Sequence, residues 1–533
     1  MIRNPILPGF NADPSFVRVG DDWYIATSTF QWYPGVQIHH SRDLANWTLA
    51  ARPLDRAGLL DMRGNPDDCG IWAPCLSHDG DRFWLVYTDV KRHAGAFKDA
   101  HNFITHAERI EGPWSDPIYV NSTGFDASLF HDEDGRKWFV QMRWNHRGDG
   151  TGCNPAHDAF DGIMLHEWSE ARGLIGEAVN IYAGTERGLT EAPHLFRRDG
   201  WYYLTTAEGG TTYDHAVTLA RSRRIEGPYE THPDRHVMTT RDAPDHPLQR
   251  TGHGQYVEGP DGQGWHTFLM GRPMTAPNGT RNCPMGRETG ISRVEWRDGW
   301  MYLEGGGMLP PVEVEGPAQA QRGPVVHERF ESLPPEFQWL RTPHPERLFR
   351  IEDGALILTG REGIGSWFEQ ALVARRQEDF AYRAETSLDF TPTTYQQAAG
   401  LATYYDRHRF HAAVVTHEGG RRCLTLVSCN GDWPDGALDW PIDPVPIPDG
   451  PVALAVEVDH LTQQFHWAPE GAEWTPLGPP REAWRITDEG GREPEHSSFT
   501  GAFVGMLAYD ITGQGAEARF DRFAYTPDRE EDT

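Results

Sequence analysis

The stretch Asp126-Ala-Ser-Leu-Phe, followed by Asp134-Gly135 and then Trp138-Phe-Val-Gln-Met, decides the fold. The same frame occurs four more times. It runs from Asp13-Pro-Ser-Phe-Val to Trp23, from Trp72-Ala-Pro-Cys-Leu to Trp84, from Glu191-Ala-Pro-His-Leu to Trp201, and from His253-Gly-Gln-Tyr-Val to Trp265. A turn signal separates the landmarks: Gly20-Asp21-Asp22, Asp79-Gly80, Asp199-Gly200 and Asp261-Gly262. The period, about 60 residues, marks a repeat architecture. Each copy reads as a strand, a hairpin turn and an aromatic-rich strand. A third strand follows in four copies, at Ile38-His-His-Ser, Phe103-Ile-Thr-His-Ala, Ile163-Met-Leu-His-Glu and Ala216-Val-Thr-Leu-Ala. Turns such as Ile110-Glu-Gly-Pro-Trp114 then lead to a fourth strand.

Four-stranded units repeated five times over about 300 residues predict an all-β, five-bladed propeller. The first strand of each blade lines the central channel of such a fold. The five leading residues, Asp13, Trp72, Asp126, Glu191 and His253, are therefore expected at one mouth. Their frame repeats while their chemistry diverges, which points to a shared site. Taken singly, each has a plainer explanation: Asp13 before Pro14 suits a turn start, and Trp72 suits a core. The common register favours convergence.

The repeat fades after Trp300. We assign residues 1–310 to the propeller, 311–325 to a Gly/Pro-rich linker, and 326–533 to a second domain. There the period is lost, and short alternating runs such as Leu356-Ile-Leu-Thr, Phe410-His-Ala-Ala-Val-Val and Val452-Ala-Leu-Ala-Val predict a β-sandwich.

Bulk composition fits this reading. The chain has 533 residues, with 20 Trp, 56 Gly and 40 Pro, as a turn-rich β protein would. A net charge of −29 opposes binding to nucleic acid or an anionic membrane. No apolar run reaches membrane-span length, and the N-terminus has no apolar signal region, so a cytoplasmic protein is expected. The six cysteines, at 69, 75, 153, 283, 423 and 429, form no CxxC pair and read as free thiols.

Carboxylates and aromatics around one channel mouth suit glycoside hydrolysis. One carboxylic acid protonates the leaving oxygen while a carboxylate acts on water or the anomeric carbon. Carboxylates on different blades favour the wider spacing of an inverting enzyme, and a third carboxylate would raise the acid's pKa by repulsion. A non-catalytic sugar-binding propeller would not need Asp13 and Glu191 together.

The motifs Asn4-Pro-Ile-Leu-Pro-Gly-Phe-Asn-Ala-Asp-Pro-Ser, Gly70-Ile-Trp-Ala-Pro, Phe125-Asp-Ala-Ser-Leu-Phe and Thr190-Glu-Ala-Pro-His resemble glycoside hydrolase family 43. Its two-domain β-xylosidases (propeller plus a concanavalin- or laminin-G-like sandwich) are the most similar branch. Gly252-His-Gly-Gln, Pro284-Met-Gly-Arg-Glu-Thr and Phe499-Thr-Gly-Ala-Phe-Val-Gly-Met extend the likeness along nearly the whole chain. The resemblance implies Asp13 as general base, Asp126 as pKa modulator and Glu191 as general acid. It implies sugar contacts by Phe30, Trp72, His253 and Arg287, with Trp144 and Thr206 at the sugar or rim. It implies Phe503 as a pocket-closing residue from the sandwich. The Ala after Glu191 stands where a Gly is common.

No cofactor is implied as required, and a structural or activating calcium ion near His253 is left open. The expected activity is an exo-acting, inverting β-1,4-xylosidase on short xylo-oligosaccharides. α-L-Arabinofuranosidase is the alternative or second activity, and a homodimer or homotetramer is expected. A fructan-cleaving, retaining propeller fits the Trp72 and Arg287 contexts poorly.

Overall fold

The computed structural model describes residues 1–147, 159–491 and 498–528. Cys153 lies outside the described residues. Five antiparallel sheets form the propeller blades. Blade 1 comprises Ser15–Val19, Asp22–Thr27, Gln37–Ser41 and Thr48–Ala51. Blade 3 comprises Gly124–His131, Lys137–Trp144, Phe160–Ser169 and Gly173–Tyr182, and blade 4 runs from Glu191–Arg198 to Glu230–Thr239. In blades 2 and 5 the inner strand is broken in two. Gly70–Ile71 and Cys75–His78 both pair with Phe83–Arg92, and Gln249–Gly252 and Tyr256–Glu258 both pair with Gly264–Gly271.

Local chemistry explains the repeated frame. Gly80, Gly135, Gly200 and Gly262 all have positive φ, which the tight turn between the first two strands requires. In blade 2 the turn residue Asp79 accepts bonds from the Asp81 and Arg82 amides, an Asx turn. Its other oxygen accepts the Trp84 indole N–H at 2.7 Å. Trp84 then fills the seam between blades 2 and 3, edge-on to Trp168 at 5.7 Å.

The expected connector takes part in the propeller. Ile2–Arg3 pairs with Glu313–Val314, inside the 311–325 segment. Asn4 donates to the carbonyls of Ile291 and Pro311 and accepts from the Ile291 amide. The two ends of the propeller sequence are thus clasped together.

The second domain is a sandwich of a nine-stranded and an eight-stranded sheet. The eight-stranded sheet borrows its edge from the propeller: Trp32–Tyr33 pairs with Leu340 and Trp339. This addition covers an edge that would otherwise be open. Tyr33 and Trp32 are fully buried. Cys69, Cys75, Cys283, Cys423 and Cys429 are buried free thiols, as the sequence predicts. Among the described residues no helix is long and apolar enough to cross a membrane.

Candidate active site

All five leading residues lie where the innermost strand of their blade starts or is interrupted. Asp13 precedes Ser15–Val19, while Trp72 and His253 occupy the breaks in blades 2 and 5. The ladder shifts register between Phe125 and Ser128, and again between Glu191 and His194. Such bulges turn side chains off the ladder, which is how a strand aims a residue at a site. The backbone carries the strain. Asp13, Asp126 and His253 have φ of 56°, 52° and 26°, and in blade 4 the neighbouring Ala192 takes φ 53°. A glycine would occupy that position without strain. Recurrent left-handed non-glycine residues at one mouth are a mark of a functional site.

Asp13 is buried and firmly held. Arg287 Nη1 donates to Oδ1 at 3.0 Å, and the Ser28 hydroxyl donates to Oδ2 at 2.8 Å. His253 Nδ1 lies 3.5 Å from Oδ1. Burial, reinforced by the Arg287 charge, lowers the pKa of His253 to about 3, so its imidazole is neutral. Arg287 is itself buried, its Nε donates to the Phe499 carbonyl at 2.8 Å, and its Nη2 has no partner among the described residues.

Glu191 and Asp126 have a different setting. Neither side chain has an ion-pair partner among the described residues. Burial, then the negative charge of Asp13, push the Glu191 carboxyl up to about 7, against the opposing pull of Arg287 and Lys98. Asp126 is raised well above the usual carboxylate range by burial, and further by Glu191 and Asp13. The negative charge of Asp13 raises both carboxyls, and Glu191 and Asp126 repel one another. Asp126 also bonds the Ala192 backbone, next to Glu191. Blades 3 and 4 are joined there by the Ser128 hydroxyl, which donates to the Pro193 carbonyl at 2.6 Å.

Aromatic rings line the wall. Phe30 lies 6.1 Å from Trp72, and Trp72 lies 5.1 Å from Phe125 in an edge-on contact. Phe125 is 6.3 Å from Trp144, over which the Lys98 ammonium sits at 4.8 Å. The wall therefore runs from Phe30 to Trp144. Thr206 neighbours Ala207, the strand partner of Glu191, and its buried hydroxyl has no partner among the described residues.

Phe503 is misplaced in the sequence reading. It is fully buried in the sandwich strand Phe503–Asp510, stacked on Trp32 at 3.7 Å. The sandwich residue at the pocket is Phe499, whose ring lies 5.8 Å from Phe30 and 5.9 Å from Trp72. Two motifs zip together to put it there. The Arg287 amide donates to the Thr500 carbonyl, and the Ala502 amide donates to the Pro284 carbonyl. A Cβ on Gly286 would lie 1.7 Å from the Thr500 oxygen, so the approach requires glycine. Asp68 accepts the Phe499 amide at 2.8 Å, and its own carbonyl accepts the Trp72 indole. Phe499, Ser28 and Lys98 escaped the sequence reading. The glycine-flanked Phe499-Thr-Gly motif was the available signal.

The surroundings of His253 do not suit calcium, which takes six to eight oxygen ligands. The nearby groups are the Arg287 guanidinium and the His194 imidazole, and Asp13 is already engaged by Arg287 and Ser28. Among the described residues no group of three His, Cys, Asp or Glu is placed to hold a metal.

Comparison with known proteins agrees with this architecture. Residues 328–526 match a family described as the beta xylosidase C-terminal concanavalin A-like domain. A Humicola insolens protein named xylosidase/arabinosidase 43B is 55% identical over 99% of this chain and 98% of its own length. A Vibrio xylan 1,3-beta-xylosidase is 38% identical over 98% of this chain and 99% of its own. The crystal structure of a xylan beta-1,4-xylosidase from Bacillus halodurans C-125 superposes with a TM-score of 0.93 at 45% identity, covering 99% of this chain and all of that one. Residues 2–301 match glycosyl hydrolases family 43, and with the carboxylates and clasped propeller already described, the chain belongs to that family.

Proposed function

We propose that this enzyme is an exo-acting, inverting β-1,4-xylosidase that releases xylose from the non-reducing end of short xylo-oligosaccharides. The contrast between Asp13 and Glu191 carries the reading. A general acid must hold its proton near neutrality, and Glu191, pushed up to about 7, does so. A general base must be an anion when water arrives, and Asp13 is surrounded by the donors an anion binds. Blade 5 separates blades 1 and 4, so the two carboxylates reach the channel from different sides, leaving room for water. Asp126 bonds the Ala192 backbone and so positions Glu191.

The pocket wall supports exo action. Phe30, Trp72 and Phe499 form an apolar corner against which one sugar face can pack, and Arg287 Nη2 and Thr206 Oγ1 are buried donors left for its hydroxyls. The relatives named for xylosidase activity support the substrate class. The Humicola insolens relative, named for both activities, supports α-L-arabinofuranosidase as a second one. Buried free thiols fit work in the cytoplasm. Assembly as a homodimer or homotetramer completes the proposal and is checked by light scattering.

The experiment is a side-by-side assay on xylobiose, an aryl β-xyloside and an aryl α-arabinofuranoside, with proton NMR of the first product. We expect activity on the two xylosides, with α-xylose appearing first. Arabinofuranoside hydrolysis alone would replace the reading, and β-xylose first would remove Asp13 as the base for water.

A further inference from the structure

We infer that the cavity between propeller and sandwich is a binding site for a small oxyanion, a carboxylate or a phosphate, gripped by Arg376 and Arg52. The cavity has a volume of about 970 Å³ and is lined by residues of blade 1, the connector and the sandwich. That volume accommodates a sugar-sized molecule.

The two guanidinium groups are held in an unusual way. Arg52 Nη2 donates to Gln37 Oε1 at 2.7 Å, and Arg376 Nη1 donates to the same oxygen at 3.2 Å. A neutral amide oxygen thus bridges two cations. Arg376 also donates to Gln338 Oε1 and to the Phe10 carbonyl, and Arg52 donates to the Phe337 carbonyl. Every partner is neutral. Arg376 is 5% exposed, yet its Nη2 has no hydrogen-bond partner among the described residues.

The carboxylates that line the cavity are spoken for elsewhere. Glu336 is bonded to His327, Glu378 is paired with Arg322 and Arg375, and Asp379 with Arg322 and Tyr525. Glu336 and Glu378 act on Arg52 and Arg376 only at a distance. Neighbouring His39 is half-buried and bonded to Asn11 Oδ1 at 3.1 Å; desolvation and the Arg376 and Arg52 charges lower its pKa to about 3, so it is neutral and adds no compensating charge. Two adjacent like charges, Arg376 buried and Arg52 half-buried, are costly without an anion. Two oxygens of a carboxylate or a phosphate would satisfy the open guanidinium edge with charge-assisted bonds.

The site is distinct from the sugar pocket. Arg376 lies over the Phe10 ring at 5.6 Å, and Phe10 meets Phe30 of the sugar wall at 5.9 Å, so an aromatic ring contacts both sites. None of the three carboxylates at the channel mouth lines the cavity.

The test is isothermal titration of the full chain with inorganic phosphate and, separately, glucuronate, in a buffer free of both. It is repeated with saturating xylose and in Arg52→Gln and Arg376→Gln. We expect one saturable site for at least one anion, undisturbed by xylose, with Kd raised about tenfold or more in both variants. Aryl xyloside hydrolysis by Arg52→Gln should stay at the wild-type rate. Tighter phosphate binding identifies a phosphate source; tighter glucuronate binding identifies an acidic sugar. Arg376→Gln loses the Phe10 contact and can fail to fold, in which case Arg52→Gln carries the test. Absence of saturable binding to both anions at millimolar concentration would overturn the proposal. So would displacement by xylose, or unchanged Kd in Arg52→Gln.

Discussion

The blade 1 and blade 4 sides of the channel mouth carry the same functional group in opposite settings. Asp13 is bonded by a guanidinium and a hydroxyl, whereas Glu191 has no bonded cation among the described residues and sits in the field of Asp13. Both are placed by a left-handed residue at the start of the inner strand, Asp13 itself on blade 1 and Ala192 beside Glu191 on blade 4. The difference lies in what the rest of the fold brings to each. Arg287 comes from blade 5 and is locked by the sandwich through the Phe499 carbonyl. The second domain therefore supports the propeller chemistry through one arginine.

The largest effect should come from removing the anchored carboxylate. Asp13→Ala should lower hydrolysis of every substrate by roughly 10²–10⁴-fold, regardless of leaving group, since water activation is always needed. Steady-state kinetics on xylobiose and an aryl xyloside check this. Loss confined to xylobiose would assign Asp13 to leaving-group protonation instead.

The two sandwich phenylalanines should separate next. Phe503→Ala removes a fully buried ring from the domain interface and should cost about 3–5 kcal/mol, read as a lower Tm. Phe499→Ala should raise KM for xylobiose with Tm nearly unchanged, because its ring faces the Phe30–Trp72 corner. A raised KM in Phe503→Ala with wild-type Tm would restore the sequence reading.

That misplacement shows what the sequence could and could not tell. The propeller was legible because Asp-Gly turns and tryptophans recur in fixed register, and each blade's signal is local. The leading residues were legible because one frame carried them all. The choice between Phe499 and Phe503 depends on where Pro284-Met-Gly-Arg meets Phe499-Thr-Gly-Ala, a long-range contact that no periodicity encodes. Likewise, Trp32–Tyr33 falls within the 1–310 assigned to the propeller, yet its backbone completes the sandwich sheet. The Asp13–Arg287 bond spans 274 residues, and the family likeness implied Arg287 only as a sugar contact.

Smaller effects concern pH. Protonated Glu191 is the active form, so kcat/KM should fall as pH rises through about 7. The Lys98 cation favours the ionised form of Glu191. Lys98→Met should therefore raise its pKa further and move this limb to higher pH. A shift to lower pH would mean that Lys98 does not act on Glu191.

The central claim is that Glu191, and not Asp13, supplies the proton. The most direct measurement compares Glu191→Ala on xylobiose and on an aryl β-xyloside with a very acidic phenol. We expect near-complete loss on xylobiose, whose leaving group needs protonation, and a far smaller loss on the aryl xyloside. Equal losses on both would contradict the assignment.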